Sequence, residues 1–380
     1  MSDTQKHKKL NVPNLRFPGF EGKWECKQVK DIAPLQRGFD LPSQSLKEGM
    51  YPVVYSNGVM NYHREYKCEA PGLVTGRSGT IGKLTFIEEG KYWPHNTALW
   101  VTDFKNNYPK FIFYFYEHLD LSRFSSGSGV PTLNRNDVHA YKALVPSLLE
   151  QKRIASFLTL IDQRITLQNR VIERYESLIK ALIDRQIDAL LSGTMLPFEQ
   201  LYIKAGEGGT PSTAINEYYR NGSIPFIKID DLSSMYLVEN KDFITEKGIQ
   251  KSSAWLIPEG SVIYSNGATI GAVSINKYPV ATKQGILGIV PKKNVFNEYL
   301  YFLMRSTYFS KEILRIVTEG TMKTAYLKDI NRIQCPLPPI ETQHRIVSGL
   351  LALAEKIDLE KQILGRYESI KQTLLNNMFI

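Results

Sequence analysis

The sequence predicts an α+β chain in which two α+β domains are separated by two long helices that pair antiparallel as a coiled coil, in an internal pseudo-twofold repeat. Three observations predict it. Arg174-Tyr175-Glu176-Ser177-Leu178 returns as Arg366-Tyr367-Glu368-Ser369-Ile370, an offset of 192 residues. The same offset carries Pro146, Gln151, Arg153, Ile154, Ser156 and Leu158 onto Pro338, Gln343, Arg345, Ile346, Ser348 and Leu350. A period this long is not a solenoid, so each copy must be a globular domain plus a helix. Both stretches carry a heptad seam, and the residues between them change to short β-branched and aromatic runs broken by Gly, Pro and Asn.

These features divide the chain into a first domain over 1–145, a central helix over 146–192, a second domain over 193–335 and a distal helix over 336–380. In the first domain, strands are expected at Tyr51–Tyr55, Leu73–Thr75, Lys83–Ile87 and Ala98–Val101, with a helix over about 108–120. The central helix has Ile154, Leu158, Ile161, Ile165, Ile172, Tyr175, Ile179 and Leu182 at alternating steps of four and three, with polar Gln168 completing the series. Such a seam, held over about four heptads, is the pattern of coiled-coil packing. The second domain repeats the strand texture at Ile224–Ile229, Ser261–Tyr264, Ala272–Ile275 and Gly285–Val290, with helix over about 297–317. The distal seam runs Ile346, Leu350, Leu353, Ile357, Leu364, Tyr367 and Leu374. Glu360 stands where Gln168 does, and Lys371 stands where Ile179 does, so the copies are not interchangeable. Prolines at Pro146 and at Pro336, Pro338 and Pro339 block helix upstream of each seam. About 40 residues of helix make a rod of about 60 Å.

Composition places the chain among ordinary globular proteins, at 43% hydrophobic and 22% charged residues. No apolar run approaches the roughly 20 residues of a membrane helix, and the first residues lack the apolar core of a signal peptide. A cytoplasmic protein without a membrane partner is expected. Cys26, Cys68 and Cys335 are too few and too far apart for a disulfide framework or zinc site, and read as buried free thiols. The net charge of +9 is concentrated in the domains, at +5 over 1–145 and +3 over 193–335, against +1 and 0 over the helices. Basic domains on charge-balanced helices suggest that the domains meet a polyanion and the helices meet protein.

A matched glycine turn is the strongest motif inside the domains. Gly76-Arg77-Ser78-Gly79-Thr80-Ile81-Gly82 answers Ser265-Asn266-Gly267-Ala268-Thr269-Ile270-Gly271, each between two expected strands. It is no Walker loop, because Gly82-Lys83 is followed by Leu84 and a strand rather than by Ser or Thr and a helix. It reads as a hairpin whose glycines supply positive φ, and its small residues also let backbone approach a DNA phosphate or groove edge. Asp230-Asp231 reads as a cap or turn rather than a metal pair, and the six histidines lack HxH or HExxH spacing. No aromatic-flanked Pro-Pro motif for a flipped base and no Gly-x-Gly-x-x-Gly is present, so neither catalytic residues nor a metal or cofactor site is expected in this chain.

Val145-Pro146-Ser147-Leu148-Leu149-Glu150-Gln151-Lys152-Arg153-Ile154-Ala155 and Leu337-Pro338-Pro339-Ile340-Glu341-Thr342-Gln343-His344-Arg345-Ile346-Val347 resemble the lead-ins to the two conserved helical regions of type I restriction-modification specificity subunits. So do Trp24 through Gly38 at the head of the first domain and Gly208-Gly209-Thr210-Pro211-Ser212 at the head of the second. The resemblance spans the chain. Its one departure, Thr342 in place of the acidic partner of the glutamine, is expected to matter little. It implies two target-recognition domains that each read half of a split double-stranded DNA site, on helices that space them and dock two modification subunits. It further implies that S-adenosylmethionine, ATP and magnesium belong to partner chains, and that two restriction subunits join through the modification core. Half-sites roughly 34–36 Å apart follow from the geometry of successive duplex faces, and differing loops imply differing half-sites.

Side chains that read base edges or phosphates are mainly Arg, Lys, Asn, Gln, Ser and Thr. In the first domain these are expected at Arg37, Tyr55, Ser56, Asn57, Arg64, Arg77, Ser78, Thr80, His95, Asn96, Thr97, Ser128 and Thr132. In the second they are Lys228, Asp230, Asn266, Thr269, Lys283, Gln284, Lys323 and Thr324. On the helices the seam residues are expected to form the core, with Glu176 and Glu368 facing partners. Two other readings stay open on the residues alone: a coiled-coil scaffold whose domains bind protein, and a chain that is itself a methyltransferase or nuclease.

Overall fold

The computed structural model describes residues 11–126, 131–267, 269–317 and 324–380. The chain forms two compact units, one comprising residues up to Leu167 together with Leu364–Ile380, the other Gln168–Ile363. Each unit therefore owns one half of each long helix. The proximal helix runs Leu148–Asp188 and the distal helix Ile340–Met378.

In the first unit a four-stranded sheet orders Leu35–Arg37, Ala98–Val101, Gly72–Gly76 and Leu84–Ile87, and a second orders Gly58–His63, Tyr51–Tyr55, Lys91–Pro94 and Cys68–Glu69. Helix Pro109–Leu119 buries Phe111, Ile112, Tyr114, Phe115 and Tyr116 against Leu73 and Leu99 of the first sheet. The same core takes in Ile154 and Leu158 of the proximal helix, Leu375 and Met378 of the distal one, and Phe379 just after it. In the second unit the larger sheet orders Tyr202–Glu207, Ile286–Pro291, Val262–Ser265, Val273–Asn276 and Tyr236–Leu237; the smaller orders Phe243–Ile244, Ile224–Ile227 and Ala281–Thr282. Its core joins Val262, Tyr264, Leu300 and Phe302 to Ile179, Ile183, Ile187, Ile346, Leu350 and Ile357. Both units contain a matching parallel pairing, Val53–Val54 with Trp93–Pro94 and Phe226–Ile227 with Ala281–Thr282.

All eight expected strands are present, within one or two residues at their ends. The helix expected over 297–317 is two helices, Asn297–Arg305 and Thr307–Ile316, because the Ser306 side chain caps the second by accepting from the Phe309 N–H. The seams hold. Ile154, Leu158, Ile172, Ile179, Ile346, Leu350 and Ile357 are buried, and Ile161, Ile165, Tyr175, Leu182, Leu353, Leu364, Tyr367 and Leu374 are half-buried. Numbering falls along the distal helix as it rises along the proximal one within each unit. In the first, Asp162 meets Lys371; in the second, Gln168 donates to the Glu360 carbonyl at 3.0 Å and Ile179 lines a groove with Ala354 and Ile357. The paired halves are thus antiparallel, and the two polar seam residues meet each other, a contact that fixes register.

One expectation is corrected at Cys26. It lies exposed on strand Glu25–Gln28, three of whose four residues face solvent, whereas Cys68 and Cys335 are buried. Burial pushes the Cys68 thiol up to about 11, and pushes Cys335 up as well. A thiol reagent at pH 8 is therefore expected to label one equivalent rapidly in the native protein and the other two only on unfolding, with peptide mapping placing the fast site at Cys26.

Candidate functional site

The glycine turn is a built structure in both units. In the first, the backbone N–H groups of Arg77 and Ser78 both donate to the Thr97 carbonyl, at 3.0 and 3.3 Å, and the Arg77 carbonyl accepts from the Leu133 N–H at 2.8 Å. In the second, the N–H groups of Asn266 and Gly267 both donate to the Gly285 carbonyl, at 3.0 and 3.2 Å, and the Asn266 carbonyl accepts from the Ala325 N–H at 2.9 Å. The same three bonds pin the turn between a neighbouring loop and a segment that returns after the helices. Gly79, Gly82 and Gly271 have positive φ, as a tight turn requires. Gly76 is demanded sterically, because a Cβ there would lie 1.7 Å from the Thr80 carbonyl oxygen.

Around the first turn the structure gathers most of the expected residues. The Ser56 N–H donates to Thr97 Oγ1 at 3.4 Å, Thr97 Oγ1 lies 3.0 Å from His95 Nδ1, and the Tyr55 and His95 rings meet at a tilt, 4.2 Å between centroids. Burial lowers the His95 pKa, so the imidazole stands neutral in this patch at neutral pH. Ser78 bridges Thr132, Asn57 is exposed, and Lys83 Nζ donates to the Asn57 carbonyl at 2.6 Å. Arg37 reaches Asp40 at 3.3 Å, and Asp40 also accepts from Asn96. Thr80 is exposed over Gly76. Arg64 is not part of this group: it sits beyond the far end of strand Gly58–His63, with its N–H on the Lys47 carbonyl and its side chain beside Glu65. Ser128 lies outside the described residues. Lys83 and Asp40 belong to the patch and were missed, although Lys83 directly follows the turn.

The second patch differs in its side chains. Lys283 and Gln284 are exposed on the loop whose backbone holds the turn, with the Lys283 N–H on the Ile227 carbonyl and the Gln284 N–H on Thr210 Oγ1. Thr269 is exposed, Thr324 is half-buried and Lys228 pairs with Asp242 at 2.8 Å. Asp230 is exposed in the short turn that Asp231 caps by accepting from the Lys228 N–H at 2.8 Å, so the acidic pair is a turn device as expected. Asn266 departs from expectation. Its side chain is 0% exposed and gives its amide N–H to the Ala325 carbonyl at 3.1 Å, so it holds the returning segment and presents nothing to a ligand. Lys323 lies outside the described residues. Thr210 at the domain head was missed as a member of this patch.

The motif at each helix start couples helix to domain. The Gln151 side chain accepts from the Tyr108 N–H at 2.9 Å and donates to Asn107 Oδ1 and the Pro146 carbonyl, at 2.8 and 3.0 Å. The Gln343 side chain accepts from the Phe296 N–H at 2.8 Å and donates to the Asn294 and Pro338 carbonyls, at 3.0 and 2.9 Å. Tyr108 and Phe296 are the residues that begin helices Pro109–Leu119 and Asn297–Arg305. The neighbouring acid matters more than expected. Glu150 is buried and takes Arg16 in a two-pronged bond, 2.8 Å on each oxygen, with Trp24 Nε1 at 3.4 Å, while Thr342 in the other copy makes no such pair among the described residues.

A model of the type I restriction modification DNA specificity domain matches residues 21–176 and again 202–368. The chain belongs to that family. Its two matches are the two copies seen at the 192-residue offset, and the specificity subunit is the type I restriction-modification component to which such paired domains belong. The chain is 33% identical over 176 residues to the MjaIX specificity subunit of Methanocaldococcus jannaschii, covering 46% of this chain and 40% of that one. It is 32% identical over 149 residues to the EcoR124I/EcoR124II specificity subunit of Escherichia coli, covering 38% and 36%. Those two alignments span well under half of each relative. Against the putative MjaX specificity subunit, also of Methanocaldococcus jannaschii, identity is 22% over 98% of this chain and 96% of the other. The crystal structure of the type I S subunit from M. genitalium superposes with a TM-score of 0.60 at 16% identity, covering 97% of this chain and 99% of that one, which shows a shared fold.

Proposed function

We propose that this specificity subunit reads a bipartite, asymmetric double-stranded DNA site, one half through each glycine-turn patch, and that it performs no chemistry itself. The observation that carries this reading is the pair of patches, whose backbone bonds coincide while their side chains differ. Half-exposed Arg77 occupies the place of buried Asn266, and exposed Lys283 and Gln284 occupy a loop whose counterpart holds His95 and Asn96. A common frame with different groups on it suits two readers of unlike sequence. The helices dock two modification subunits, which supply S-adenosylmethionine and adenine methylation, and restriction subunits using ATP and magnesium join through them.

A surface stripe supports the docking role. Leu160, Leu167, Val171 and Leu178, spaced seven, four and seven apart, are 57, 51, 37 and 47% exposed on the proximal helix. They form a second heptad line beside the seam, without a partner among the described residues. At the 192-residue offset Leu359 and Ile370 are 49 and 47% exposed on the distal helix. These apolar positions join the glutamates as proposed partner contacts: Glu176 is exposed with its carboxylate on Lys361 at 2.8 Å, and Glu368 is exposed.

The test is coexpression with a modification subunit followed by mapping of methylated adenines, which should return one motif with two unequal halves. DNA affinity should fall steeply with salt, the slope counting several phosphates; a flat response would instead support a protein-binding scaffold. Arg77→Ala is expected to relax one position of one half-site by about 1–3 kcal/mol and leave the other half unchanged. A uniform loss across all sequences would reassign Arg77 to a phosphate, and no change would remove it from the interface.

A further inference from the structure

In the first unit the seam carries a charge one step before its end. Lys371 Nζ lies 2.7 Å from Glu117 Oε1 and 2.8 Å from Asp162 Oδ1, and Asp162 Oδ2 accepts from the Tyr114 hydroxyl at 2.7 Å. Lys371 is 16% exposed, and Glu117 Oε2 has no hydrogen-bond partner among the described residues, so the carboxylate depends on this ammonium.

At the equivalent positions the second unit carries three apolar side chains and an arginine, in a groove that Glu176, Asp358 and Lys361 also line. The 192-residue offset puts Ile179 in place of Lys371 and Ala354 in place of Asp162. The two glutamine clamps equate Tyr108 with Phe296, and hence Tyr114 with Phe302 and Glu117 with Arg305. Ile179, Phe302 and Ala354 share the second core, and Arg305 lines the same groove as Ile179.

A duplicated chain has an inherent hazard: each helix end resembles the other, and either could enter either groove, in this molecule or in a second copy. We propose that Lys371 with Glu117 and Asp162 is a pairing key that admits the distal helix end to the first unit's groove and rejects the equivalent stretch of the proximal helix from a second copy. With Ile179 in that groove, two half-buried carboxylates would lose the cation that joins them. With Lys371 in the other groove, an ammonium would face Ala354 and Phe302 beside Arg305, where Glu176 and Asp358 already answer Lys361 and Arg305. Both mismatches disfavour exchange, whereas one apolar seam repeated twice would permit it.

Two full-length copies carrying different tags, coexpressed and captured through one tag, test this. Wild-type capture should bring little of the other copy. The exchange variant I179K/K371I should raise co-capture about tenfold or more, because its key now favours a second chain, with light scattering showing mass above one chain. The variant E117Q/D162A/K371I imitates the apolar side chains of the second unit and leaves no buried charge unmatched, so it stays soluble if the exchange variant does not, and it too should raise co-capture. Lower stability in urea with co-capture unchanged in the soluble variants would mean an ordinary buried ion pair, and would overturn the proposal.

Discussion

Gln343→Leu is expected to lower the stability of the second unit by about 2–4 kcal/mol, because it removes three hydrogen bonds and leaves backbone groups buried without partners. Leucine matches the volume of glutamine, so the loss isolates the amide rather than a cavity. The Phe296 N–H loses its only acceptor among the described residues, and the Asn294 and Pro338 carbonyls lose a donor. Gln151→Leu should behave alike in the first unit, where Tyr108 N–H, Asn107 and Pro146 are the partners. Urea unfolding followed by ellipticity measures both, with exposed Gln362→Leu as the control. A midpoint equal to that of the control would show that water replaces the amide and that the clamp is dispensable. The consequence for function lies in what the clamp joins: the long helix proposed to dock partners and the first turn of a helix packed against the sheet of the proposed DNA-reading domain.

The heptad seams and the central strands were legible because each rests on a local period that burial alone imposes. Ile154, Leu158, Ile346 and Leu350 needed no knowledge of their partners to be placed inside. Strand Gly58–His63 escaped because it is a sheet edge with Val59, Met60, Asn61 and Tyr62 all exposed, so it carries no alternation to read. Asn266 was misplaced for a longer-range reason. Whether a polar residue in a glycine turn faces outward depends on the segment returning at Ala325, 59 residues later in sequence. Gln151 and Gln343 were visible as a repeated motif, yet their partners in the domains lie more than 40 residues away, and only the fold reveals that the motif is a clamp. The candidate site followed the same rule. The turn itself was evident, and the structure brings Tyr55, His95, Thr97 and Thr132 beside it because polar turns at strand ends converge on one edge, whereas Arg64 sits at the opposite end of its strand.

Leu167→Asp with Leu178→Asp is expected to abolish docking of one modification subunit while DNA binding by the free specificity subunit keeps its salt slope. Burying each leucine contributes about 1.5–3 kcal/mol, so losing two weakens docking by about 10²–10⁴-fold before the penalty of burying a carboxylate is counted. Both positions are exposed and off the seam, so helix content and unfolding midpoint should stay near wild type. The repeat makes the experiment quantitative. Leu359→Asp with Ile370→Asp should remove the other subunit, so either pair alone is expected to give a complex of one specificity and one modification subunit by light scattering, and all four together none. Methylation should then separate the faces: a complex loaded on one side carries a single methyltransferase beside a complete DNA reader, and should modify one strand of the site. Two subunits still bound to the four-site variant would place docking elsewhere, and the second heptad line would then need another partner.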